Sequence, residues 1–347
     1  MEHFGLDLSA TLTQVVAMDA TGVVTRRLRV PTVELPAWLG SQPPARVVME
    51  ACTQSPIIAR AARAAKHEAI VIPGQAVRAL GVGARGIKTD DRDAEVLAQA
   101  SVRSVMLPSV HLRSETARSS MQLIAVRSML VRSRAQCTLF VKSWLRGMLI
   151  RVTQRATGGR FAAAVRELAQ KRSMLCPPAI EVLLSQFESL TERIETLDAQ
   201  LEVFAETSEL CQLLMTMPGV GPVCAAMFTA HVDDLSRFPT SEHLASYLGL
   251  VPGEATTSFK IVRTSTIKAG PKYLRAQLVQ SAWSLWNARP NEPIVLWAQG
   301  IAAKKGKRIA IVALARKIAT ILYAMWKTQT KYDPSRPSTV RRGHPPA

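Results

Sequence analysis

The sequence predicts an α/β domain with a mixed sheet at the N-terminus, joined through a helical, partly coiled-coil connector to a mainly α-helical C-terminal domain. Three observations predict it. Between residues 3 and 72, short apolar runs alternate with turn signals and helical patches, the layer pattern of a sheet covered by helices. From Leu123 onward, apolar residues recur at steps of three and four. The charge is also divided unevenly: of a net +18, residues 1–100 hold 11 Lys/Arg and 10 Asp/Glu, and the remainder holds 33 and 16. These features divide the chain at 1–105, 106–212, 213–330 and a flexible basic tail, 331–347.

His3–Ser9 (HFGLDLS) reads as a short strand with Asp7 near its end. Val15–Met18 and Val23–Val30 flank Asp19-Ala20-Thr21-Gly22, a good hairpin turn. A helix over Glu34–Gly40 follows, then Arg46–Glu50 (RVVME), a buried-type strand that ends in a carboxylate. Gln54–Lys66 is helical and Glu68–Ile72 is another strand. A glycine-rich loop (Gly81, Gly83, Gly86) leads to Lys88-Thr89-Asp90-Asp91-Arg92-Asp93-Ala94. That stretch opens a periodic run (Ala94, Val96, Leu97, Ala98, Ala100) and reads as a helix with an acidic cap. Asp90 and Asp93 project from one face of it, about 5–6 Å apart at Cβ. A solvated helix start, favoured by the macrodipole, accounts for the same pair.

Neighbouring strand ends lie about 5 Å apart, so Asp7 and Glu50 can converge on the acidic helix. Two negative charges 4 Å apart repel by about 4 kcal/mol at an effective dielectric near 20, so such a cluster needs cations. Hard oxygen donors suit Mg²⁺ or Mn²⁺, and two such ions can clamp both oxygens of an in-line phosphoryl displacement. Singly, each acid also reads as a turn or surface residue.

Residues 101–175 carry 14 Lys/Arg and two Asp/Glu, a field that attracts nucleic acid. Within them Leu123, Val126, Leu130, Cys137, Val141, Trp144 and Met148 form a helical seam flanked by Arg127, Arg132, Arg134, Lys142, Arg146 and Arg151. Of these, Arg127, Arg134, Lys142 and Arg146 are the phosphate-contact candidates; a solvated face is the plainer alternative. Past Gly158-Gly159 and Pro177-Pro178, a heptad seam runs through Phe187, Leu190, Ile194, Leu197, Leu201, Phe204, Ser208 and Cys211. Residues 181–210 hold eight acids and one arginine, which suits an antiparallel or intersubunit coiled coil, and self-association as a dimer or tetramer, better than DNA contact. Met217-Pro218-Gly219-Val220-Gly221-Pro222 resembles the hairpin of a helix-hairpin-helix element, with Gly219 and Gly221 admitting a phosphate. A tight turn between packed helices fits it equally. Ile309–Lys327 reads as a core helix. No run of about 18 uncharged apolar residues suggests a membrane span, and the first residues, with Glu2 and Asp7 and no basic n-region, give no expectation of a secretory signal. Five scattered cysteines without C-x-x-C suit a reducing cytoplasm and no structural zinc.

GLDLS, VVMEA and KTDDRDA, in this order and spacing, resemble the RuvC-like (RNase H-type) domain of the DEDD transposases of the insertion-sequence 110 family. The resemblance continues through Leu235–Phe238, Leu244–Leu250, Val251-Pro252-Gly253, Lys268-Ala269-Gly270 and Tyr273-Leu274-Arg275. It implies a magnesium-dependent bacterial DNA transposase or recombinase, cytoplasmic and nucleoid-associated when acting. Asp7, Glu50, Asp90 and Asp93 would be the metal-binding tetrad; Asp91 is not carried over. The family also has a serine nucleophile shortly after Gly-Leu-x-Pro. In the stretch Glu254-Ala255-Thr256-Thr257-Ser258-Phe259-Lys260, ungapped register points to Thr257 and a slip of one to Ser258. Ser258 is favoured, because threonine is stiffer and more hindered. Lys260, Arg263, Lys268, Lys272 and Arg275 would meet phosphates beside it. The resemblance further implies that one subunit's tetrad meets another's serine, and that an element-encoded guide RNA selects double-stranded donor and target DNA. Two other readings stay open: a junction-resolving nuclease that uses water, and a non-catalytic nucleic-acid-binding protein.

Overall fold

The apolar runs between residues 3 and 72 pair as one five-stranded sheet. In the computed structural model, which describes residues 1–79, 90–104, 106–151, 160–257 and 260–335, the chain forms two units, Met1–Leu112 and Arg113–Ala347. The strands of the first are β1 (His3–Asp7), β2 (Leu12–Met18), β3 (Val24–Pro31), β4 (Arg46–Glu50) and β5 (Glu68–Ile72), in the order β3-β2-β1-β4-β5. The β1–β2 and β2–β3 pairs are antiparallel, and β1–β4 and β4–β5 are parallel, so the sheet is mixed. The β2–β3 turn forms where the residue types require it. Asp19 Oδ1 accepts from Thr21 N at 2.8 Å and Val23 N at 3.0 Å, and Gly22 takes φ +86°.

Alternation sorts the strand side chains onto two faces. Phe4, Leu6, Val15, Ala17, Val47 and Met49 form a core with α1 (Leu35–Gly40) and α2 (Ser55–Ala64). On the other face, Val16 and Met18 pack on Ala94 and Ala98 of α4 (Asp90–Arg103), while Val48 and Ile72 pack on Leu97 and on Val77 of α3 (Gly74–Ala79). Gly5 lets α4 sit directly on β1: a Cβ there would lie 2.0 Å from Ala94 O and 2.5 Å from Ala98 N. Two contacts set the helix direction. His3 Nδ1 shares a 2.8 Å hydrogen bond with Ser101 Oγ, and Arg46 Nη1 donates to Ser101 O (3.1 Å) and Ser104 O (2.8 Å). Arg46 thereby serves carbonyls at the helix C-terminus, where a cation is also favoured by the dipole. His3 and Arg46 start their strands, so α4 runs antiparallel to β1 and β4 and brings its N-terminus to their C-terminal ends.

In the second unit, α5 (Glu115–Gly147) and α7 (Pro178–Thr207) form an antiparallel pair. Its register is marked by the Arg127–Asp198 ion pair and by Arg134 Nη1, 3.5 Å from Thr191 Oγ1. At its far end, Cys137, Val141 and Leu145 share a core with Ile180, Leu184 and Phe187 and with α6 (Phe161–Lys171). Arg166 of α6 ties in Glu181 (2.6 Å) and Glu188 (2.5 Å). Phe187, Leu190, Ile194 and Leu201 are thus buried within one chain. The heptad spacing crosses a break at Ser208, whose hydroxyl caps α8 (Glu209–Met215) by accepting from Cys211 N at 3.3 Å.

A single core then joins α8, α9 (Pro222–Val232), α10 (Ser241–Tyr247), α11 (Lys272–Ala288), α12 (Pro293–Lys305) and α13 (Lys307–Thr328). By length and composition α13 is apolar enough to cross a membrane, yet half of its apolar stretch is buried in this core through Ile311, Leu314, Ile318 and Leu322. A two-stranded hairpin, β6 (Pro252–Thr257) with β7 (Lys260–Thr266), interrupts the helices and was absent from the expected elements. Its strand propensity comes from Ile261, Val262, Thr264 and Thr266. The glycine-rich loop expected at Gly81–Gly86 and most of the expected tail lie outside the described residues.

Candidate active site

Asp7 ends β1 and Glu50 ends β4. Leu6 pairs with Met49 in parallel register, so the two acids occupy the next rung, on strands about 5 Å apart. Alternation puts Asp7 on the side of Gly5 and Glu50 on the side of Val48, the face that α4 covers. Glu50 lies against the start of α3: a Cβ on Gly74 would be 2.6 Å from its Oε1, so glycine leaves room for the carboxylate.

The helix supplies the third acid. From Gly5 to Asp7 is about 7 Å along the strand. From the helix segment over Gly5 back to residues 90–93 is about 5–9 Å in the matching direction. The acidic turn of α4 therefore comes level with the strand ends. Asp93 is only 7% exposed there, and neither it nor Glu50 is hydrogen-bonded or ion-paired to a described residue. Arg26 is paired with Glu2 (2.8 Å), Arg27 with Glu95 (2.7 Å) and Arg46, at the far end of β4, with Glu68 (3.2 Å); Asp7 and Arg29, which share the Gln14 rung, are each engaged as well. Asp90 opens α4, and its side chain and that of Asp91 lie outside the described residues. Among the described residues no three His, Cys, Asp or Glu side chains are gathered within reach of one ion. The structure thus brings Asp7, Glu50 and Asp93 to one end and one face of the sheet, short of a closed ligand shell. Hard carboxylate oxygens, one of them on a buried aspartate with no partner among the described residues, suit a divalent cation.

The expected nucleophile lies in sequence between β6 and β7. Ser258 lies outside the described residues, as do the side chains of Thr257, Lys260 and Arg263. The base of the hairpin is well defined. Gly249 (φ +66°) and Gly270 (φ +73°) meet the opposite backbone, where a Cβ would be 2.2 Å from Ala269 O and 1.8 Å from Tyr247 O respectively. Arg275 Nη1 bridges Leu248 O (3.0 Å) and Ala269 O (2.7 Å). Expected to meet phosphate, Arg275 instead spends this nitrogen as a backbone clamp. Lys268 and Lys272 are exposed beside it.

The remaining nucleic-acid candidates separate by their surroundings. Arg127 is paired with Asp198, Arg134 lies 5.9 Å from the Phe187 ring, and Lys142 lies 5.7 Å from the Phe161 ring. These three hold α5 to α6 and α7, where the one-dimensional pattern showed only basic flanks. Arg146 is exposed. Gly219 (φ +82°) fits the tight-turn reading, since a Cβ would be 2.9 Å from Ser281 O of α11, while Gly221 faces open space. Sequence reasoning missed the positioning roles of Gly5, Gly74 and Arg46; a charged residue opening an otherwise apolar strand was the one signal that could have marked Arg46.

Two family models match in tandem: a transposase model of the DEDD, IS110 kind over residues 4–150, and one described as transposase, IS116/IS110/IS902 family, over residues 211–293. Similar proteins include a probable family 20 transposase of Pseudomonas aeruginosa, 28% identical over 96% of this chain and 99% of that protein. Another is the transposase for insertion sequence element IS1328 of Yersinia enterocolitica, 27% identical over 95% of this chain and 98% of its own length. A pilin gene-inverting protein of Moraxella bovis is 28% identical over 42% of this chain and 46% of its own.

Proposed function

Because the chain belongs to the IS116/IS110/IS902 family of transposases, we propose that it cuts and rejoins DNA strands at an acidic centre made by Asp7, Glu50, Asp90 and Asp93, with Ser258 as the attacking hydroxyl. The observation that supports this reading is that Asp7 and Glu50 end neighbouring parallel strands, while Asp93 is buried in the first turn of the helix that packs on that sheet. Those four acids would hold Mg²⁺ or Mn²⁺, which would neutralise phosphodiester charge and favour ionised oxygens. Within unit 1, β1 and β4 fix the spacing of Asp7 and Glu50, and α4 fixes the height of Asp93. Within unit 2, the Gly249–Gly270 crossing and the Arg275 clamp hold the hairpin that carries Ser258. The relative named for gene inversion supports conservative rejoining over hydrolysis alone, since inversion requires both ends to be resealed. Selection of sites by a guide RNA belongs to the same reading through the family resemblance, and the net positive charge of the chain supports nucleic-acid binding.

The test is strand transfer on DNA carrying the element's ends, with Mg²⁺ and the element's flanking RNA. Glu50→Gln and Asp93→Asn are each expected to lower cleavage at least about 100-fold with DNA binding retained. Ser258→Ala is expected to abolish the covalent protein–DNA adduct, with Thr257→Ala leaving it. Wild-type cleavage by Glu50→Gln would refute the acidic centre, and an adduct persisting in Ser258→Ala would refute that nucleophile.

A further inference from the structure

The joint between α12 and α13 concentrates positive charge with no ion-paired acid among the described residues. From residue 255 to 332 the sequence holds 14 Lys/Arg and one acid, Glu292. Glu292 is engaged by Tyr332, whose hydroxyl donates to it at 2.8 Å. Lys304, Lys305, Lys307 and Arg308 flank Gly306 (φ +86°), are exposed, and have no ion-pair partner among the described residues. The last turn of α12 favours cations, which accounts for Lys304 and Lys305. Lys307 and Arg308 occupy the first turn of α13, where the helix dipole opposes them. A local choice against stability on an exposed turn signals a partner of opposite charge.

The aromatic surroundings indicate which nucleic-acid form fits. Lys307 Nζ lies 5.1 Å from the Trp283 ring and 5.3 Å from the Trp286 ring, so both tryptophans are already engaged by a cation. That leaves cationic tips rather than open aromatic faces for base stacking, which favours a duplex backbone over a single strand. Both tryptophans belong to α11, which begins at the hairpin crossing held by Arg275. Fourteen residues of helix from Lys272 to Trp286 span about 21 Å, or about six base pairs of duplex.

We propose that Lys304, Lys305, Lys307 and Arg308 form a phosphate-binding patch that grips duplex DNA some six base pairs from the strand at the β6–β7 hairpin. The patch lies beyond the residues matched by either family model. It rests on the transposase reading only in naming DNA as the duplex. Three tips, Lys304, Lys305 and Arg308, can be removed without touching the tryptophan contacts.

The test is duplex binding by the full-length chain with Lys304→Ala, Lys305→Ala and Arg308→Ala combined, read by fluorescence anisotropy on a 40-base-pair DNA from 50 to 200 mM salt. Three lost contacts make the log–log salt slope shallower by about 2.7, so a fourfold rise in salt weakens the variant about 40-fold less than the wild type. The loss is expected on any DNA sequence, with an unchanged melting temperature. An unchanged slope and affinity would overturn the patch, as would a loss confined to an RNA duplex or to single-stranded DNA. Binding separates this inference from the acidic centre: a Glu50→Gln protein that still cleaves sinks the centre alone, while wild-type protein that binds no duplex DNA sinks both.

Discussion

Replacing Gly5 with alanine tests whether the seat of α4 on β1 controls the acidic centre. The added Cβ would lie 2.0 Å from Ala94 O, 2.5 Å from Ala98 N and 3.0 Å from Ala98 Cβ, against an ordinary contact distance of at least 3.4 Å. The two closest atoms are backbone, so no side-chain rotation relieves them. The helix must retreat by about 1.4 Å or the strand must bow. Overpacking of this kind costs about 1–3 kcal/mol, and a rigid backbone clash belongs at the upper end. For a domain of this size, 2–3 kcal/mol lowers the melting temperature by roughly 10–20 °C. The functional effect is expected even where the protein stays folded. Asp93 rides on α4 while Asp7 and Glu50 ride on the strands, and misplacing a reacting group by about 1 Å costs on the order of 100-fold in rate. Thermal unfolding by circular dichroism and Mg²⁺-dependent cleavage well below the transition measure the two effects separately. Gly40→Ala serves as control, because a Cβ at Gly40 meets nothing within 4 Å. A Gly5→Ala protein that melts and cleaves like the wild type would show that the α4–β1 contact sets neither the fold nor the site.

Two further outcomes follow from the second unit. His231 is buried and donates Nδ1–H to Met227 O at 2.8 Å, and burial pushes its pKa down to about 4. Its ordinary value is about 6.5, so the unfolded chain binds the extra proton first as pH falls. The stabilisation is complete above pH 6.5 and is lost toward pH 4, by up to about 3 kcal/mol; denaturant unfolding of wild type and His231→Gln should converge at low pH, and a constant difference across pH 7 to 4.5 would contradict this. Arg275→Lys removes the two-carbonyl bridge under the hairpin and should lower stability by about 1–3 kcal/mol. It should also slow adduct formation while duplex binding stays within about threefold of wild type; an unchanged adduct rate would remove Arg275 from the positioning of the nucleophile.

Much of the first unit was legible because its signals are local. The Asp19–Gly22 turn, the short apolar runs of β1, β2 and β4, and the acids ending two strands each follow from neighbouring residues. The acidic helix was legible as a helix; its height and direction over the sheet were not, because they depend on Gly5 and on Arg46 and His3 reaching its far end, contacts between residues about 55 to 100 positions apart. In the second unit, periodicity located α5 and α7 but could not say what their basic flanks meet. Arg127 and Arg134 resemble solvent-facing cations in sequence, and only the antiparallel register with α7 supplies Asp198, Thr191 and Phe187 as their partners. The β6–β7 hairpin was hidden between strong helical neighbours, and its seven-residue second strand is too short to give a clear period.

The distribution of paired and unpaired charge carries the functional argument further than net charge does. In the first unit, Arg26, Arg27 and Arg46 each hold a carboxylate, whereas Glu50 and the buried Asp93 hold no cation among the described residues. In the second, the cations of α5 and α6 are largely spent on Asp198, Glu181, Glu188 and aromatic rings, whereas at the α12–α13 joint Lys304, Lys305 and Arg308 have no ion-pair or ring partner among the described residues and Lys307 meets only Trp283 and Trp286. A surface optimised only for stability would exchange these leftovers, since a lysine beside Glu50 or a glutamate beside Arg308 would relieve both. A substrate that is itself a polyanion explains why neither exchange has been made. Phosphate can answer the cations at the α12–α13 joint, but beside Glu50 and Asp93, which have no cation partner among the described residues, it would add charge of the same sign. In the proposed function, Mg²⁺ or Mn²⁺ would supply the opposite charge there.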